Sequence, residues 1–396
     1  MSHPQHSTIA DEWVRSKRTE LVAEQRQLLE ELAFQYGDSP DSYLATEPHG
    51  ECVLWGDSAA ATMEVDRGNW HAPGGLLSSP EQKESLIQHL ADLAKQERQV
   101  VSVYSVGEGE RPLFEENGFQ ATKFGEEPYL DLTTLSWSGK PYEWVRRQTN
   151  FCRRQKVVAE EIYHTPHNTI VNPNWTKRPT NVGNIPLVSP TADEYQKLTN
   201  ELEAIQLEDF AGRAYEHPLR LFEGQFFPRD LYRRRLFVAR QEGTDRIEAF
   251  CVTNPMQNGA WWAIEMYRKR NDAVRGVVPF LMREIIDQFK AEGVQEVSLC
   301  MIPGRGLKSG TSRESSLARW ALGTWYWLSP KAFDIRGQEH FKTRFRPQFK
   351  NRYMCIAPGA SLWHMFSFMR VCGAMDISLW KFIKVSLFSK PTPKDS

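Results

Sequence analysis

Three charged residues in the second half of the chain, Glu265, Arg268 and Asp272, are the first candidates for chemistry. They lie at the end of a predicted strand and ahead of a predicted helix, beside the cleft expected there. A carboxylate can bind an ammonium group, and a guanidinium can bind a carbonyl or phosphate oxygen. Asp272 could act as a general base or orient Arg268. The alternatives are a surface ion pair for the first two residues and a loop-capping aspartate for the third.

A run of cationic residues near the C-terminus forms a second candidate site. Lys342, Arg344 and Arg346 alternate within a strand predicted over residues 340–353, so they should project from one face. The positions of opposite parity should face the core and are all phenylalanine: Phe341, Phe345 and Phe349. A face of one charge sign suits a phosphate group, which Arg352 could also reach. The alternative is a solvated charged face.

A basic helix is predicted over residues 140–164. Its polar side chains fall at turn-compatible spacings and are Arg146, Arg147, Asn150, Arg153, Arg154 and Lys156. Such a helix could contact the phosphates of a nucleic acid. A surface helix that bridges two domains is the alternative.

Composition narrows the class of protein. A chain of 396 residues is too long for one ordinary core and indicates two domains. The net charge is −1, yet the stretch from Lys331 to the end holds twelve Lys or Arg against four Asp or Glu, which favours an anionic partner such as nucleic acid or a membrane surface. Six scattered cysteines and a polar N-terminus predict a cytosolic protein. The histidines lack the neighbours of a metal site, so we expect no metal.

The order of predicted elements indicates an α+β fold with two similar halves. In each half an antiparallel set of strands leads into a strand–helix–strand crossover, with crossover helices at about 79–96 and 276–291. This order is similar to the GNAT acyltransferase fold, present here twice, each copy a mixed, mostly antiparallel sheet flanked by helices. We predict five regions: an N-terminal helical segment (1–36), a first GNAT-like domain that includes the basic helix (37–164), a linker (165–190), a second, catalytic GNAT-like domain (191–357) and an amphipathic tail (358–396).

The tail is rich in Trp, Phe, Met and Leu between Ala360 and Ser389. Charged residues interrupt it, and the chain offers no run of about 20 uninterrupted apolar residues that would predict a membrane span. An amphipathic segment with basic residues suits binding to the surface of an anionic membrane. The alternative is a C-terminal helix docked on the protein's own core.

Four blocks of sequence resemble the soluble catalytic domain of the phosphatidylglycerol lysyltransferases, also called multiple peptide resistance factors. In chain order they are Gly125–Glu127 with Leu130–Leu132, Ser138–Lys140 with the basic helix, Glu265–Arg268 with Asp272 and Gly276, and Phe341–Pro347 with Asn351–Tyr353. The membrane enzymes of this family usually carry a multi-helix flippase ahead of the domain, which we expect this chain to lack. The family also commonly has an acidic residue where this chain has Pro279.

The resemblance implies a function. It implies that an amino acid moves from aminoacyl-tRNA to a membrane lipid such as phosphatidylglycerol, at the inner face of the cytoplasmic membrane. The tRNA ester is already activated, so aminoacyl-tRNA serves as co-substrate and no cofactor is expected. Glu265 would then bind the α-amino group of the aminoacyl moiety. The cationic run at Lys342–Arg346 would bind a lipid phosphate or the tRNA acceptor end.

The loop at Gly276 bears on the rival function. Acetyl-CoA-dependent GNAT enzymes are similar here but have a second glycine where this chain has Val278, and that glycine lets backbone N–H groups approach the pyrophosphate. We therefore predict a helix N-terminus that no longer binds coenzyme A. The alternatives are a diverged but working loop in an acyl-CoA-dependent N-acyltransferase, and a non-catalytic module that binds lipid or tRNA. The amino acid, the acceptor and the oligomeric state remain open.

Overall fold

The computed structural model describes residues 13–164, 183–211, 219–221, 223–224, 231–307, 314–328 and 335–375. The helices in this part of the chain are α1 (Ala23–Tyr36), α2 (Pro80–Gln96), α3 (Arg111–Glu116), α4 (Glu143–Arg154), α5 (Ala192–Ala211), α6 (Val277–Ala291), α7 (Ser316–Leu328), α8 (Ile335–Thr343) and α9 (Leu362–Val371). The strands are β1 (Trp13–Lys17), β2 (Glu51–Trp55), β3 (Ala59–Asp66), β4 (Asn69–Ala72), β5 (Leu76–Ser78), β6 (Val100–Gly107), β7 (Gln120–Asp131), β8 (Val157–Ile162), β9 (Leu187–Val188), β10 (Arg235–Gln241), β11 (Ile247–Met256), β12 (Trp261–Lys269), β13 (Glu296–Ser298), β14 (Ile302–Pro303) and β15 (Gln348–Ala357).

The strands of both halves join into one continuous sheet. Its order is β1-β2-β3-β4-β6-β15-β7-β13-β12-β11-β10-β8-β9, with β5 paired to β3 and β14 paired to β7. Strand β15, from the C-terminal half, lies antiparallel between β6 and β7 of the N-terminal half. Strand β7 in turn pairs with β13 of the second half. The last strand therefore completes the first half's sheet, and neither half is an independent layer.

Each half contains one parallel strand pair linked through a helix. In the first half β4 runs parallel to β6, and α2 lies between them in the chain. In the second half β12 runs parallel to β13, and α6 connects them. The remaining pairings are antiparallel, apart from the short β8–β9 pair. The α+β class and the tandem GNAT-like fold predicted from the sequence are confirmed, and the two sheets are joined edge to edge.

Helix α6 supplies much of the core of the second half. Its buried apolar side chains recur three and four residues apart: Val277, Phe280, Leu281, Ile285, Ile286 and Phe289. They form one cluster with residues of β10, β11 and β12. Burial of each large apolar side chain contributes about 1.5–3 kcal/mol. This packing fixes α6 and the adjacent strand β12, which carries Glu265 and Arg268, in one position.

Two predicted helices are shorter than expected. The N-terminal segment is not helical throughout, because Trp13 lies on β1 opposite Trp55, with the two rings stacked 4.7 Å apart. Pairing at the sheet edge overrides the helical spacing there. The basic helix ends at Arg154 rather than at 164. The following residues alternate between core and surface with a period of two, and they pair with β10 as strand β8.

Strand β7 is the longest of the described strands, and both β13 and β14 pair with it. Most of the predicted linker lies outside the described residues, and within its remainder β9 pairs with β8. The five domain boundaries stay predictions.

The first part of the tail docks on the protein's own core, as in the alternative interpretation. Helix α9 buries His364, Met365 and Phe368. The Ser367 hydroxyl donates to the Asp66 carboxylate at 2.8 Å. Residues 376–396 lie outside the described part of the chain. Among the helices that the structure describes, each is too short or too polar to cross a lipid bilayer.

Candidate active site

Glu265 lies in the interior of β12, not at its end, and faces the junction of the two halves. One carboxylate oxygen accepts a hydrogen bond from the Gly224 backbone N–H at 2.7 Å, and the other accepts one from the Asn254 side-chain amide at 2.7 Å. The same Asn254 nitrogen donates to the Pro40 carbonyl of the first half at 3.2 Å. Burial is the main cause that raises the pKa of Glu265. Glu265 therefore connects both halves.

Arg268, three residues further along β12, is buried and ion-paired. Its guanidinium lies 3.2 Å from the Glu223 carboxylate and 3.3 Å from that of Asp209. The alternative considered from the sequence, a surface ion pair, is wrong for Arg268, because its side chain is only 4% exposed. Glu223 and Gly224 are consecutive, so Arg268 and Glu265 hold two neighbouring positions of one segment. The predicted placement of both residues on the strand that precedes α6 is confirmed.

Asp272 does not belong to this cluster. Its side chain is 70% exposed and forms an ion pair with Arg246 at 2.5 Å. The hydrogen bond from Arg246 is the main cause that lowers the pKa of Asp272. The turn after β12 carries the residue out to solvent. The prediction of a general base, or of a partner that orients Arg268, is therefore wrong for Asp272.

The cationic run does not form a strand face. Lys342 lies in α8, and Arg344 and Arg346 lie in the turn that precedes β15, so the three side chains do not alternate on one strand. Lys342 is buried and donates to the Cys300 carbonyl at 3.0 Å. Burial lowers the pKa of its ammonium group. The predicted core position of Phe345 is confirmed.

Arg344 and Arg346 instead lie beside the start of the basic helix. The Arg344 guanidinium stacks 4.8 Å from the centre of the Trp144 ring, and the Arg346 Nε donates to the Pro141 carbonyl at 3.3 Å. We call the surface that they share with α4 the α4 basic surface. Its members are Arg146, Arg147, Asn150, Arg153, Arg154, Arg344 and Arg346.

The members of the α4 basic surface differ in how they are held. Arg147 and Asn150 are exposed. Arg146 is partly buried and donates to the Trp137 and Gly139 carbonyls at 2.5 and 2.7 Å. Arg153 is about half exposed and forms an ion pair with Glu284 at 2.7 Å. The structure thus brings two separately predicted cationic segments onto one surface.

Arg352 is a buried bridge, not an anion ligand at the surface. Its guanidinium contacts the Glu127 carboxylate at 2.5 Å and that of Asp38 at 3.1 Å. It also donates to the Ser105 carbonyl at 3.1 Å. Removing one partner of such a buried pair leaves an uncompensated charge, which costs about 3–5 kcal/mol. The predicted anion-binding role is therefore not supported, since Arg352 already neutralises two carboxylates.

Sequence reasoning missed Asp41, which lies in the short 3₁₀ helix Pro40–Thr46. Its carboxylate accepts a hydrogen bond from the Ser105 hydroxyl. Burial raises the pKa of Asp41 to about 7, and the negative charges of Glu127 and Glu265 act in the same direction. These residues are far apart in the chain, so no local spacing could have signalled the cluster.

Two residues around this cluster have backbone strain. Ser105 has φ of 60° and Cys300 has φ of 64°, in the left-handed region that side chains other than glycine seldom adopt. The Cys300 thiol lies 3.2 Å from the Ile264 carbonyl, next to Glu265 in the chain. Such strain persists only where the surroundings enforce it, and it is frequent at functional sites. Ser105 bonds directly to Asp41, and Cys300 contacts the strand that carries Glu265.

The N-terminus of α6 is covered by another helix. Gly276 caps α6 with φ of 81°, and a Cβ atom at this position would lie 2.4 Å from the side-chain oxygen of Gln148 on α4. The Cys152 thiol of α4 also lies 3.5 Å from the Arg275 carbonyl. Helix α4 therefore packs against the place where a phosphate would meet the N–H groups of α6. This geometry supports the prediction that the loop does not bind coenzyme A.

Comparisons with known proteins agree with the sequence resemblance. A family profile described as "Phosphatidylglycerol lysyltransferase, C-terminal" matches residues 29–170 and 188–356. The phosphatidylglycerol lysyltransferase of Bacillus subtilis (strain 168) is 23% identical over 292 residues, which cover 72% of this chain and 30% of that protein. The Staphylococcus epidermidis phosphatidylglycerol lysyltransferase (strain ATCC 12228) is 21% identical over 299 residues, covering 75% and 32%. The chain thus spans about a third of the length of these relatives.

Two solved structures share the fold. One is the C-terminal domain of a putative lysylphosphatidylglycerol synthetase from Agrobacterium fabrum, with a TM-score of 0.67, 17% identity, and coverage of 90% of this chain and 98% of that one. The other is L-PGS from Bacillus licheniformis, with a TM-score of 0.64, 17% identity, and coverage of 89% and 97%. The profile match extends over both halves and includes Glu265, Arg268 and Arg352. This chain therefore belongs to the phosphatidylglycerol lysyltransferase C-terminal domain family.

Proposed function

We propose that the protein transfers the aminoacyl group of an aminoacyl-tRNA to a hydroxyl group of a membrane phospholipid such as phosphatidylglycerol. The observation that carries this proposal is the contact of Gln148 with Gly276, which covers the phosphate-binding end of α6. An acyl-CoA enzyme of this fold needs that end open. Membership of the family supports aminoacyl-tRNA, and not an acyl-CoA, as the donor of the acyl group.

The chemistry requires a proton acceptor. The lipid hydroxyl oxygen attacks the ester carbonyl carbon, the bond from that carbon to the ribose oxygen breaks, and the hydroxyl proton ends on the ribose oxygen. We assign the acceptor to Asp41, because it lies at the junction of the two halves, in the 3₁₀ helix whose Pro40 carbonyl accepts a hydrogen bond from Asn254. Its raised pKa of about 7 suits a group that takes up the proton and returns it to the leaving group. The Ser105 hydroxyl orients this carboxylate.

Glu265 serves Asp41 as a positioning residue. Its negative charge acts on Asp41 across the junction of the halves, and Asn254 ties it to the backbone at Pro40. Together with Arg268 it also holds the segment Glu223–Gly224. This replaces the direct contact with the α-amino group that the resemblance implied, because donors already occupy both Glu265 oxygens.

Two surfaces suit the macromolecular substrates. The exposed cations of the α4 basic surface suit the phosphates of the tRNA acceptor end. Helix α9 exposes Leu362, Trp363 and Phe366 on the side opposite its buried residues, and Arg67 lies 5.9 Å from the Trp363 ring. An apolar row beside cations suits the headgroup region of an anionic bilayer. We propose peripheral attachment to the inner face of the cytoplasmic membrane through this row.

The test is direct transfer. Purified protein is incubated with phosphatidylglycerol vesicles and a pool of radiolabelled aminoacyl-tRNAs, and the extracted lipids are separated. We expect label in an aminoacylated lipid, and none with Asp41→Asn protein. No labelled lipid with any amino acid, beside an active control enzyme, would contradict the proposal. Saturable binding of coenzyme A by calorimetry would favour the acyl-CoA alternative.

A further inference from the structure

Three consecutive arginines lie at the start of β10, and all of them are buried: Arg233, Arg234 and Arg235. Each side chain is at most 4% exposed. A buried guanidinium is costly unless a carboxylate balances its charge, and each of the three has such a partner. The partners are Glu30 and Glu31 of α1 for Arg233, Glu47 for Arg234, and Glu161 of β8 and Glu292 for Arg235. The triplet therefore connects β10 to several other elements of the fold.

Arg233 reaches the 3₁₀ helix that carries Asp41 through one intermediate side chain. Its Nη1 donates to a carboxylate oxygen of Glu30 at 2.7 Å. The other carboxylate oxygen of Glu30 accepts a hydrogen bond from the Tyr43 hydroxyl at 2.8 Å. Tyr43 lies on the 3₁₀ helix Pro40–Thr46, two residues after Asp41. A line of hydrogen bonds thus runs from the start of β10, through α1, to the helix of the proposed proton acceptor.

All three members of this line are held out of water. Arg233 and Tyr43 are each 1% exposed, and Glu30 is completely buried. Burial is the main cause that raises the pKa of Glu30 to about 7, and the positive charge of Arg233 opposes it. Burial also raises the pKa of Tyr43, so its hydroxyl keeps its proton and remains a donor. Loss of either donor would leave an oxygen of a buried carboxylate without its partner.

The 3₁₀ helix Pro40–Thr46 depends on contacts with other elements for its position, because the hydrogen bonds within a 3₁₀ helix have poor geometry. Two of its backbone carbonyls accept hydrogen bonds from side chains of other elements. Tyr43 adds an attachment through its own side chain. Residues two apart leave a helix of three residues per turn in different directions, so Tyr43 donates to α1 while Asp41 accepts from Ser105 on β6. The helix is therefore held on two sides.

We propose that Arg233, Glu30 and Tyr43 act together as positioning residues, which fix the Asp41 carboxylate against the Ser105 hydroxyl. We call these three residues the Arg233 anchor. The inference rests on the proposed function, in which Asp41 accepts the proton. The anchor does not transfer the proton itself, since Glu30 uses both of its oxygens on Arg233 and Tyr43.

The pKa of Asp41 should report the state of the anchor. Burial is the largest cause of its raised value, so a carboxylate that is held less firmly and reached by water should have a lower pKa. The charged groups that act on Asp41 from the elements around it are Glu127, Glu265, Lys342 and Arg352. None of them belongs to the anchor. Substitutions in the anchor therefore leave these charges in place, and a shift measures the position and water access of Asp41.

The conservative substitution Tyr43→Phe tests the inference, because it removes only the hydroxyl group. We expect kcat to fall about tenfold and KM for aminoacyl-tRNA to stay within about twofold, since the reacting groups are misplaced while the substrates still bind. The midpoint of the pH dependence of kcat/KM should move to lower pH. A residue that only stabilises the fold would lower the unfolding temperature and leave both kinetic quantities of the folded protein unchanged.

The matched control is Tyr104→Phe. Tyr104 is 2% exposed, and its hydroxyl is hydrogen-bonded to His71 at 2.7 Å, away from Asp41. This variant should lose stability without a change in kcat or in the pH midpoint. Equal kcat values and equal midpoints for the two tyrosine variants would overturn the inference.

A double variant tests whether the members act as one unit. Glu30→Gln keeps an acceptor oxygen for Tyr43 but removes the charge that balances Arg233. Effects that pass through one line of contacts are not additive, so Glu30→Gln combined with Tyr43→Phe should have about the kcat of the more impaired single variant. Multiplication of the two single effects would overturn the inference. If the Glu30→Gln protein does not fold, Arg233→Lys, which retains the positive charge, takes its place.

Titration of Asp41 separates this inference from the proposed function. Carbon-13 NMR follows the aspartate carboxyl groups of the labelled full chain between about pH 4 and 9, and Asp41→Asn protein identifies the Asp41 signal. We expect a midpoint of about 7 in the native chain, a lower one with Tyr43→Phe and an unchanged one with Tyr104→Phe. An unchanged midpoint with Tyr43→Phe would overturn the inference, whether or not the chain transfers amino acids. A lowered midpoint in a chain without transfer activity would reject the proposed function and support the anchor.

Discussion

The two halves place buried polar groups on the strand that precedes the crossover, but they use them differently. On β4, His71 exchanges hydrogen bonds with the Tyr104 hydroxyl at 2.7 Å and the Ser367 hydroxyl at 2.9 Å, and α9 covers the cluster. On β12, Glu265 and Arg268 are charged and lie near a cavity. Burial lowers the pKa of His71 and raises that of Glu265.

This difference agrees with a structural role for the His71 cluster and with the proposed reaction near Glu265. A neutral, hydrogen-bonded cluster has little to offer a substrate, but it fixes the position of the helix packed on it. Charged groups held out of water at a junction are costly to the folded state and suited to proton transfer. We therefore expect substitutions in the His71 cluster to lower stability, and substitutions around Glu265 and Asp41 to lower activity.

The largest expected effect follows from replacing the proposed base. Asp41→Asn should lower kcat at least about 100-fold, because the neutral amide cannot accept the proton. Burial raises the pKa of Asp41, so its ionised form destabilises the fold above the pKa of the unfolded chain, and the amide should unfold at the same or a higher temperature at pH 8. Steady-state kinetics and thermal unfolding measure the two effects. Loss of activity that is accompanied by loss of folded protein would contradict the assignment.

Glu265→Gln should shift the pH dependence of the reaction. The activity of the native chain is expected to rise with pH through about 7 as Asp41 loses its proton. Removing the negative charge of Glu265 should lower the pKa of Asp41 and move the midpoint to lower pH. The measurement is kcat/KM between pH 5 and 9. A reduced rate with an unmoved midpoint would limit Glu265 to a purely structural role.

A substitution in the His71 cluster of the first half should lower the stability of the protein. His71→Ala deletes the buried hydrogen bonds of His71 to Tyr104, Ser367 and Ser102 and leaves a cavity, so the free energy of unfolding should fall by about 3 kcal/mol. The kcat of the folded fraction should stay within about twofold, since the cluster lies outside the proposed reaction path. Urea unfolding and kinetics below the transition provide the comparison. A large fall in kcat with unchanged stability would place His71 in the reaction.

The same cluster should make stability depend on pH. Burial lowers the pKa of His364 to about 4 from its ordinary 6.5. As the pH falls, the unfolded chain binds this proton before the folded chain does. The free energy of unfolding is therefore unaffected by His364 above pH 6.5, and it falls by up to about 3 kcal/mol as the pH falls toward 4. His364→Asn should lack this part of the acid sensitivity. Unfolding free energies of both proteins between pH 4 and 8 give the difference, and parallel curves would contradict it.

The smallest effect concerns the α4 basic surface. Arg147→Ser at an exposed position should raise KM for aminoacyl-tRNA about two- to fivefold with kcat unchanged, and it should make KM less sensitive to salt. Arg98→Ser, on a turn of the first half, serves as the control. Equal KM values for both variants would contradict the proposed role of α4 in binding tRNA.

Local patterns predicted the crossover helices well. Ser79-Pro80 and Gly276 mark the starts of α2 and α6, and apolar residues three and four apart mark their buried faces.

The site was predicted in part. Glu265 and Arg268 are three residues apart on β12, a spacing that would place their side chains on opposite faces of a regular strand. A register shift leaves Glu265 without a paired position between Ile264 and Met266, and both side chains then contact the segment Glu223–Gly224. The sequence showed the shared strand but not this shift. Asp272, three residues beyond β12, lies outside the cluster, because the direction of the turn after β12 decides where its side chain points.

The prediction for the cationic run was wrong for a related reason. Alternation of Lys342, Arg344 and Arg346 fits a strand, but the segment also fits the end of a helix and a turn, and packing of Phe341 and Phe345 against Trp144 selects the latter. Short runs with both periodicities are decided by their neighbours in space.

The family, the fold class and the presence of Glu265 and Arg268 on one strand follow from the order of residues along the chain, because motif order, helical spacing and strand alternation are local properties. The joining of the halves by β15, the Asp41–Glu265 junction and the covered end of α6 depend on contacts between residues far apart in the chain. Strand β15 pairs with β6 and β7 across long stretches of the chain: Arg352 lies opposite Gly107 of β6, 245 positions away, and Tyr353 lies opposite Lys123 of β7, 230 positions away. Such pairings are chosen by the burial and hydrogen bonding of the whole fold, and only the tertiary structure reveals them.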